Sequence, residues 1–313
     1  MVNAEHEALR DTVRTLLDRT ADSALVRTAD GYSEPLWRAL ADQVGVAGLT
    51  VPEQYDGAGA TLLEAHIALE ETGRTLAPVP VLSSLLAAQA LIRCGNEEAR
   101  ARLLPEIAAG RVATVGWQDD GYVLDGDIAE TTLMVSGDNL YEIVPTHRER
   151  KPTMDFTRRL AKVEFDLTQA SHLGAAAPEL RDIARAALSA EQVGTAQRCL
   201  DMTVDYTKTR VQFGRPIGGF QALKHRMADM YVLVETARSI ATAAASDLSL
   251  ASTAKVHCSE ALSTVAGEMV QLHGGIAITW EHDAHLYFKR AHGSRQLFGG
   301  PDELRSSLRA AAR

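Results

Sequence analysis

Apolar positions recur at three- and four-residue steps through both ends of the chain, with a break in the middle. Leu62, Leu63, Ala65, Ile67 and Leu69 begin a helical run that ends at Gly73, and residues 82–92 form another, stopped at Cys94-Gly95. Ser33-Glu34-Pro35 supplies a cap with proline in the first turn, and residues 51–59 (VPEQYDGAG) read as a loop; each predicts a helix after it. From about Val112 to Leu167 the period shortens. Residues 122–124, 132–135, 140–144 and 160–165 are short β-prone runs between Asp, Gly, Asn and Pro. Four or five such strands bury little core alone, so this segment is expected to dock on a helical neighbour or another subunit. After Pro178 the helical period returns. Leu188, Val193, Ala196, Leu200 and Val204 line one face of a long helix that stops before Phe213-Gly214-Arg215-Pro216. Residues 220–245 and 251–272 supply two more long helices, the second closed by Gly274-Gly275, and 281–295 and 303–312 two shorter ones. The reading is mainly α: a helical segment over 1–110, a reduced β segment over 111–172 and a helical bundle over 173–313.

Composition narrows the classes. With 313 residues, 46% hydrophobic and 23% charged, the chain can bury one large or two to three small cores, which excludes a disordered or fibrous protein. Cys94, Cys199 and Cys258 are odd in number and far apart, which fits a reduced cytoplasm better than a disulfide scaffold or a zinc ribbon; the last two fall on apolar helical faces. Glu5, His6 and Glu7 stand where a secretory signal needs a basic and then an apolar run, and no long uncharged apolar window occurs, so neither export nor a membrane span is expected. A net charge of -9 without a basic stripe argues against nucleic acid. Small molecules and other proteins remain as partners.

Two strings in the bundle exceed what packing needs: residues 210–221 (RVQFGRPIGGFQ) and 271–281 (QLHGGIAITWE). With Val51-Pro52-Glu53 before a Gly-rich loop, and the order helices, β segment, bundle, they resemble the acyl-CoA dehydrogenase family of flavoproteins along nearly the whole chain. The resemblance implies α,β-dehydrogenation of an acyl-CoA thioester. A desolvated carboxylate takes the α-proton, hydrogen bonds polarise the thioester oxygen, and FAD accepts the β-hydride. Carried over by position, Arg210, Phe213 in the turn after it, Gln221, Gln271, Gly274 and Gly275 match the surface that holds the ADP half of a neighbouring subunit's FAD. An arginine fork suits a pyrophosphate, and paired glycines let backbone amides approach. A helix cap for Arg210, solvated glutamines and a simple helix stop at the glycines are the plainer alternatives. Asp182 and Arg185 match residues that contact the CoA thioester end; an acidic first turn with a solvated arginine is the alternative.

The departures from the family pattern are as informative. Where most members carry a catalytic glutamate, in an aromatic-Glu-Gly-Thr segment, this chain has Gly299, within residues 297–302 (LFGGPD), and the second known placement of the base falls at Ala184. Pro301 replaces a threonine that contacts flavin, and Ala277 breaks the Gly-Gly-x-Gly ending. Residues 111–170 are too few for the full β-domain and lack its Thr-Glu-Pro and Trp-(Ile/Val)-Thr segments; Trp117 reads as a core or docking aromatic. This pattern resembles the shorter subunit of actinobacterial α2β2 acyl-CoA dehydrogenases that act on cholesterol-type side chains. The resemblance implies a partner subunit that supplies the glutamate and the flavin-ring site, a steroid acyl-CoA substrate and an electron-transfer acceptor protein. Two alternatives stay open: a self-sufficient homo-oligomer with a relocated base drawn from Glu191, Asp302 or Glu303, and a flavin-free structural subunit.

Other polar residues read more plainly. His282 and His285, three apart on an expected helix beside Glu281 and Asp283, are a weak metal signature, and no metal is expected. His225 reads as structural, with a cofactor phosphate as the alternative. His273 matters through its backbone, and Arg158-Arg159 reads as a surface charge pair, with the CoA phosphates as the alternative.

Overall fold

The computed structural model describes residues 4–311. Six helices come first: α1 (Ala4–Thr20), α2 (Ser23–Thr28), α3 (Glu34–Val44), α4 (Leu62–Thr75), α5 (Val81–Cys94) and α6 (Glu97–Ala108). Their starts follow local chemistry. Ser33 Oγ accepts from Leu36 N with Pro35 in the first turn of α3, Thr61 and Glu64 form a capping box on α4, and Asn96 caps α6. The expected stop at Gly73 is displaced. α4 runs on to Thr75 and ends where Leu76 adopts a left-handed φ of 52°.

Seven strands follow, more than the four or five expected: β1 (Ala113–Trp117), β2 (Val123–Leu124), β3 (Thr131–Ser136), β4 (Asn139–Ile143), β5 (Pro145–Arg150), β6 (Leu160–Phe165) and β7 (Ser171–Ala175). They form two sheets, ordered β1-β3-β4-β7 and β2-β6-β5, with β1 parallel to β3 in the register Ala113↔Thr131 to Trp117↔Val135. Every residue of β1 is buried, as expected of a strand covered on both faces. Val115 and Leu133 share one core with Leu85 and Leu91 of α5 and with Leu40 of α3. The β segment therefore leans on helices of its own chain.

The last third holds α7 (Leu180–Thr209), a short hairpin of β8 (Val211–Gln212) and β9 (Arg215–Pro216), then α8 (Gln221–Ser246), α9 (Ala251–His273), α10 (Ala284–Gln296) and α11 (Pro301–Ala311). α7 joins the two halves. Its first turns, with Leu180, Ile183 and Leu188, lie in the core of the N-terminal helices, and Cys199 and Leu200 lie in a second core with Val234, Val265 and Leu286. Gly73 and Gly194 set the approach of α4 to α7, because a Cβ on Gly73 would sit 2.2 Å from Glu191 O and one on Gly194 1.7 Å from Glu70 O. All three cysteines are free and buried. Ala312, the last residue of the expected final helix, lies outside the described residues. Among the described residues no helix is long and apolar enough to cross a membrane.

Candidate active site and cofactor surface

A cavity of about 740 Å³ opens where β1, the 153–158 loop, the start of α7 and the 296–299 turn meet. That is within the range of pockets that enclose small molecules, about 300–1,000 Å³. Its apolar wall is Val115, Trp117, Leu124, Leu160, Leu297 and Phe298, with Tyr122 and Met154 half-exposed at the mouth. Trp117 meets Phe298 edge-on, ring centroids 5.7 Å apart. The expectation of a core aromatic fits its burial, and the same side chain also faces the cavity.

The polar wall comes from successive turns of α7. Arg181 donates to Asp119 (2.6 Å) and Asp120 (2.8 Å), and its guanidinium carbon lies 5.1 Å from the Trp117 ring centroid. Arg185 donates to the Phe298 carbonyl (3.1 Å), to Asp182 (2.8 Å) and to Ser252 Oγ (3.3 Å). Asp182 and Arg185 are thus paired with each other, and Arg185 but not Asp182 lines the cavity. Burial raises the Asp120 carboxyl, although Arg181 opposes the shift.

Gly299 also lines the cavity, beside Phe298 and Glu303. Its φ is +103°, a backbone conformation open to glycine and strained for a residue with a Cβ. A Cβ there would also press on Leu304 at 3.1 Å. Pro301 begins α11, where its missing N–H costs nothing. Ala184 is buried in the core, and Asp302 is exposed and bonded to Arg305.

Glu191 lies elsewhere. It is buried and does not line the large cavity; its Oε1 accepts from Arg290 (2.9 Å) and from Arg158. Arg290 also donates to Asp155 (2.7 Å) and to Thr157 Oγ1 (2.6 Å), so α7, α10 and the 153–158 loop are tied by one buried charge cluster. Burial opposes ionisation of Asp155, but Arg290 and Arg158 prevail and hold its carboxyl below the ordinary value. The cluster corrects the surface reading of Arg158-Arg159: Arg158 is nine-tenths buried against Glu191, and Arg159 pairs with Asp127. Adjacent to it, burial pushes the Asp125 carboxyl up to about 6, while Ser83 Oγ donates to it at 2.5 Å. An acid with a raised folded pKa loses stability as pH climbs from its unfolded value, near 3.8, to about 6, and carries the full penalty above that. Asp125→Asn is expected to flatten that dependence and to raise stability at pH 7 by about 1–2 kcal/mol. Thermal melts of both proteins at pH 4.5 and 7 check this.

At the far end of the bundle the second set of residues converges. Tyr206, one turn before Arg210, stacks on His273 at 4.3 Å, so the turn after α7 lies beside Gly274 and Gly275 after α9. Gly274 caps α9 with φ +66°, and a Cβ on either glycine would meet nothing within 4 Å. Phe213, 92% exposed, meets Phe220 edge-on, and Gln221 begins α8, its Nε2 3.0 Å from His225 Nε2. His225 is exposed. Among the described residues Arg210 enters no ion pair and Gln271 makes no side-chain hydrogen bond. The Gly274 N–H is taken by Val270 O, but a guanidinium fork, a side-chain amide and a glycine turn with open space around it fit a pyrophosphate-bearing nucleotide. His282 precedes α10 instead of sharing it with His285, and its Nδ1 accepts from Ala284 N. No group of three metal-type ligands occurs among the described residues.

The chain belongs to the acyl-CoA dehydrogenase family. The family's N-terminal domain matches residues 3–111 and its C-terminal domain residues 175–312. Among its relatives is acyl-CoA dehydrogenase IpdE2 of Mycobacterium tuberculosis, 47% identical over 96% of this chain and 95% of that protein. IpdE2 of Mycolicibacterium smegmatis is 48% identical over 99% of both chains. Among solved structures, the Tcur3481-Tcur3483 steroid ACAD G363A variant superposes with a TM-score of 0.87 at 29% identity, covering 99% of each chain. The ChsE4-ChsE5 complex from Mycobacterium tuberculosis gives 0.88 at 27%, covering all of this chain and 98% of that one.

Proposed function

We propose that this chain is the subunit of a hetero-oligomeric, FAD-dependent acyl-CoA dehydrogenase that does not carry the catalytic base. The observation that carries the reading is Gly299: the residue that the resemblance aligns with the family's base lies in the cavity wall, has no side chain, and has a backbone that disfavours one. Glu191, the rival base, is engaged by two buried arginines instead of facing the cavity. FAD, when bound, accepts the hydride from the β-carbon. This chain's part is to present Arg210, Gln221, Gln271 and the open Gly274-Gly275 turn to the ADP half of a flavin whose ring, with the glutamate, is held by the partner subunit. A steroid-derived acyl-CoA is the substrate in this reading, supported by the likeness to a steroid ACAD, and an α2β2 assembly is supported by the likeness to a two-protein complex.

The test is to produce the chain alone and with an acyl-CoA dehydrogenase-like partner, and to record native mass and flavin absorbance. Flavin found only in the joint assembly, one per pair of unlike chains, supports the reading; a yellow, active preparation of this chain alone overturns it. Restoring a carboxylate does not restore a base. Gly299→Glu in the chain alone is expected to give no exchange of the acyl-CoA α-proton in deuterated water and a loss of about 1–3 kcal/mol in stability. Exchange in that variant would show that the backbone tolerates a base at this position.

A further inference from the structure

The cofactor surface has two halves, the turn after α7 that begins with Arg210 and the turn after α9 that begins with Gly274. Three rings join them. Tyr206 of α7 stacks on His273, the last residue of α9, with centroids 4.3 Å apart and planes at 24°. His282, just before α10, packs on His273 at 4.6 Å and lies 6.4 Å from Tyr206, so the rings close a triangle. Each member is tied to backbone. Arg210 N donates to Tyr206 O (2.9 Å), His273 Nδ1 donates to Met269 O (2.8 Å) and Ala284 N donates to His282 Nδ1 (3.1 Å). His273 is 4% exposed, and burial lowers its pKa and that of His282, so the neutral imidazoles dominate at pH 7 and pack without repulsion. The glycine turn itself has no side chain to brace it: Gly274 leaves α9 at φ +66°, and a Cβ on either glycine would meet nothing within 4 Å.

We propose that His273 is the positioning residue of this surface: its ring, packed on Tyr206 and His282, sets the separation between the Arg210 turn and the Gly274-Gly275 turn, and so the affinity for a diphosphate held by both. A ligand held from two turns binds less tightly when either turn must first be ordered, because that ordering opposes binding. The backbone reading of His273 is thereby extended to its side chain. A ring that only filled core volume would affect the fold and leave the affinity of the folded assembly unchanged. A spacer has a different signature: it matters only while both turns have something to hold, so its effect depends on Arg210.

The inference rests on the preceding reading that this surface meets FAD, and its test measures binding, not turnover. The assembly in which the chain is purified is freed of bound flavin and dialysed to equilibrium against FAD, at the parent's native mass. His273→Ala is expected to weaken FAD about tenfold, the scale of a turn that must be ordered on binding. His273→Asn, which keeps a donor near Met269 O and loses the ring, should fall with it. His273→Phe, which keeps a ring against Tyr206, is expected to stay within about threefold of the parent. In an Arg210→Ala background the His273→Ala step should shrink to under about twofold, since two residues that act as one unit are not additive. Tyr206→Leu, which opens the triangle from α7, should reproduce the loss, so the decision does not hang on the folding of one variant. Parent-like affinity in His273→Ala or Tyr206→Leu, or a His273→Ala step of equal size with and without Arg210, overturns the spacer and leaves the cofactor surface standing. FAD held equally by the parent and Arg210→Ala overturns both.

Discussion

Arg290→Met is expected to destabilise the protein by about 3–5 kcal/mol, the cost of leaving buried charges without their partner. Arg290 is 3% exposed and serves two carboxylates at once, Asp155 at 2.7 Å and Glu191 at 2.9 Å, as well as the hydroxyl and carbonyl of Thr157. Methionine fills much of the volume but offers no donor, so two carboxylates would share only Arg158. The double variant Arg290→Met with Glu191→Gln should recover part of the loss, because it removes one of the orphaned charges; the non-additivity measures the coupling. The pH dependence follows from Asp155. Its folded pKa is depressed, so its contribution is full above the unfolded value and is lost as pH falls through the folded one. Acid should therefore narrow the gap between wild type and variant. Thermal unfolding of the pair at pH 7 and pH 3 checks both claims, and a loss under about 1 kcal/mol at pH 7 would mean that the cluster is not structurally coupled.

That cluster also marks where the sequence ceases to be legible. Helix starts are local, because Ser33, Thr61 and Asn96 act on amides two or three residues away, yet of these only Ser33, with Pro35 behind it, stands out in the sequence, and α6 after Asn96 is not foreseen. The bundle turns can be read because glycine and proline act on their own backbone. Arg158 and Glu191 are 33 residues apart and Arg290 and Glu191 are 99 apart, so no local pattern tells a buried cation from a solvated one. The same holds for β1. Residues 113–117 (ATVGW) carry no alternation, and the parallel pairing with β3 depends on a crossover that only the fold defines. At the cavity the sequence places Arg185 and Gly299 by resemblance, yet the Arg181–Trp117 contact had no signal, because neither residue belongs to a family string. Gly73 shows a further kind of miss. A glycine near a helix end reads as a stop, whereas here it admits the backbone of α7.

Arg210→Ala is expected to weaken flavin retention by the assembly ten- to a hundredfold, equivalent to about 1.5–3 kcal/mol for a lost charge-assisted hydrogen bond. Its guanidinium is exposed at the turn after α7, beside the open glycines after α9, and forms no ion pair among the described residues. A surface arginine without a carboxylate contributes little to folding, so the variant's melting temperature without flavin should match the parent's. This separates a cofactor contact from a structural one. Arg210→Lys should retain an intermediate affinity, since it keeps the charge and loses the bidentate fork. The effect should also grow as ionic strength is lowered, because the contact lies at the surface, where salt screens it. Flavin held equally by parent and Arg210→Ala, at matched subunit concentrations in an equilibrium dialysis, would favour the alternative in which this chain supports the assembly without touching the cofactor. Retention lost together with the oligomer's native mass would instead place Arg210 in the contact between subunits, and the alanine and lysine variants would then fall together rather than in sequence.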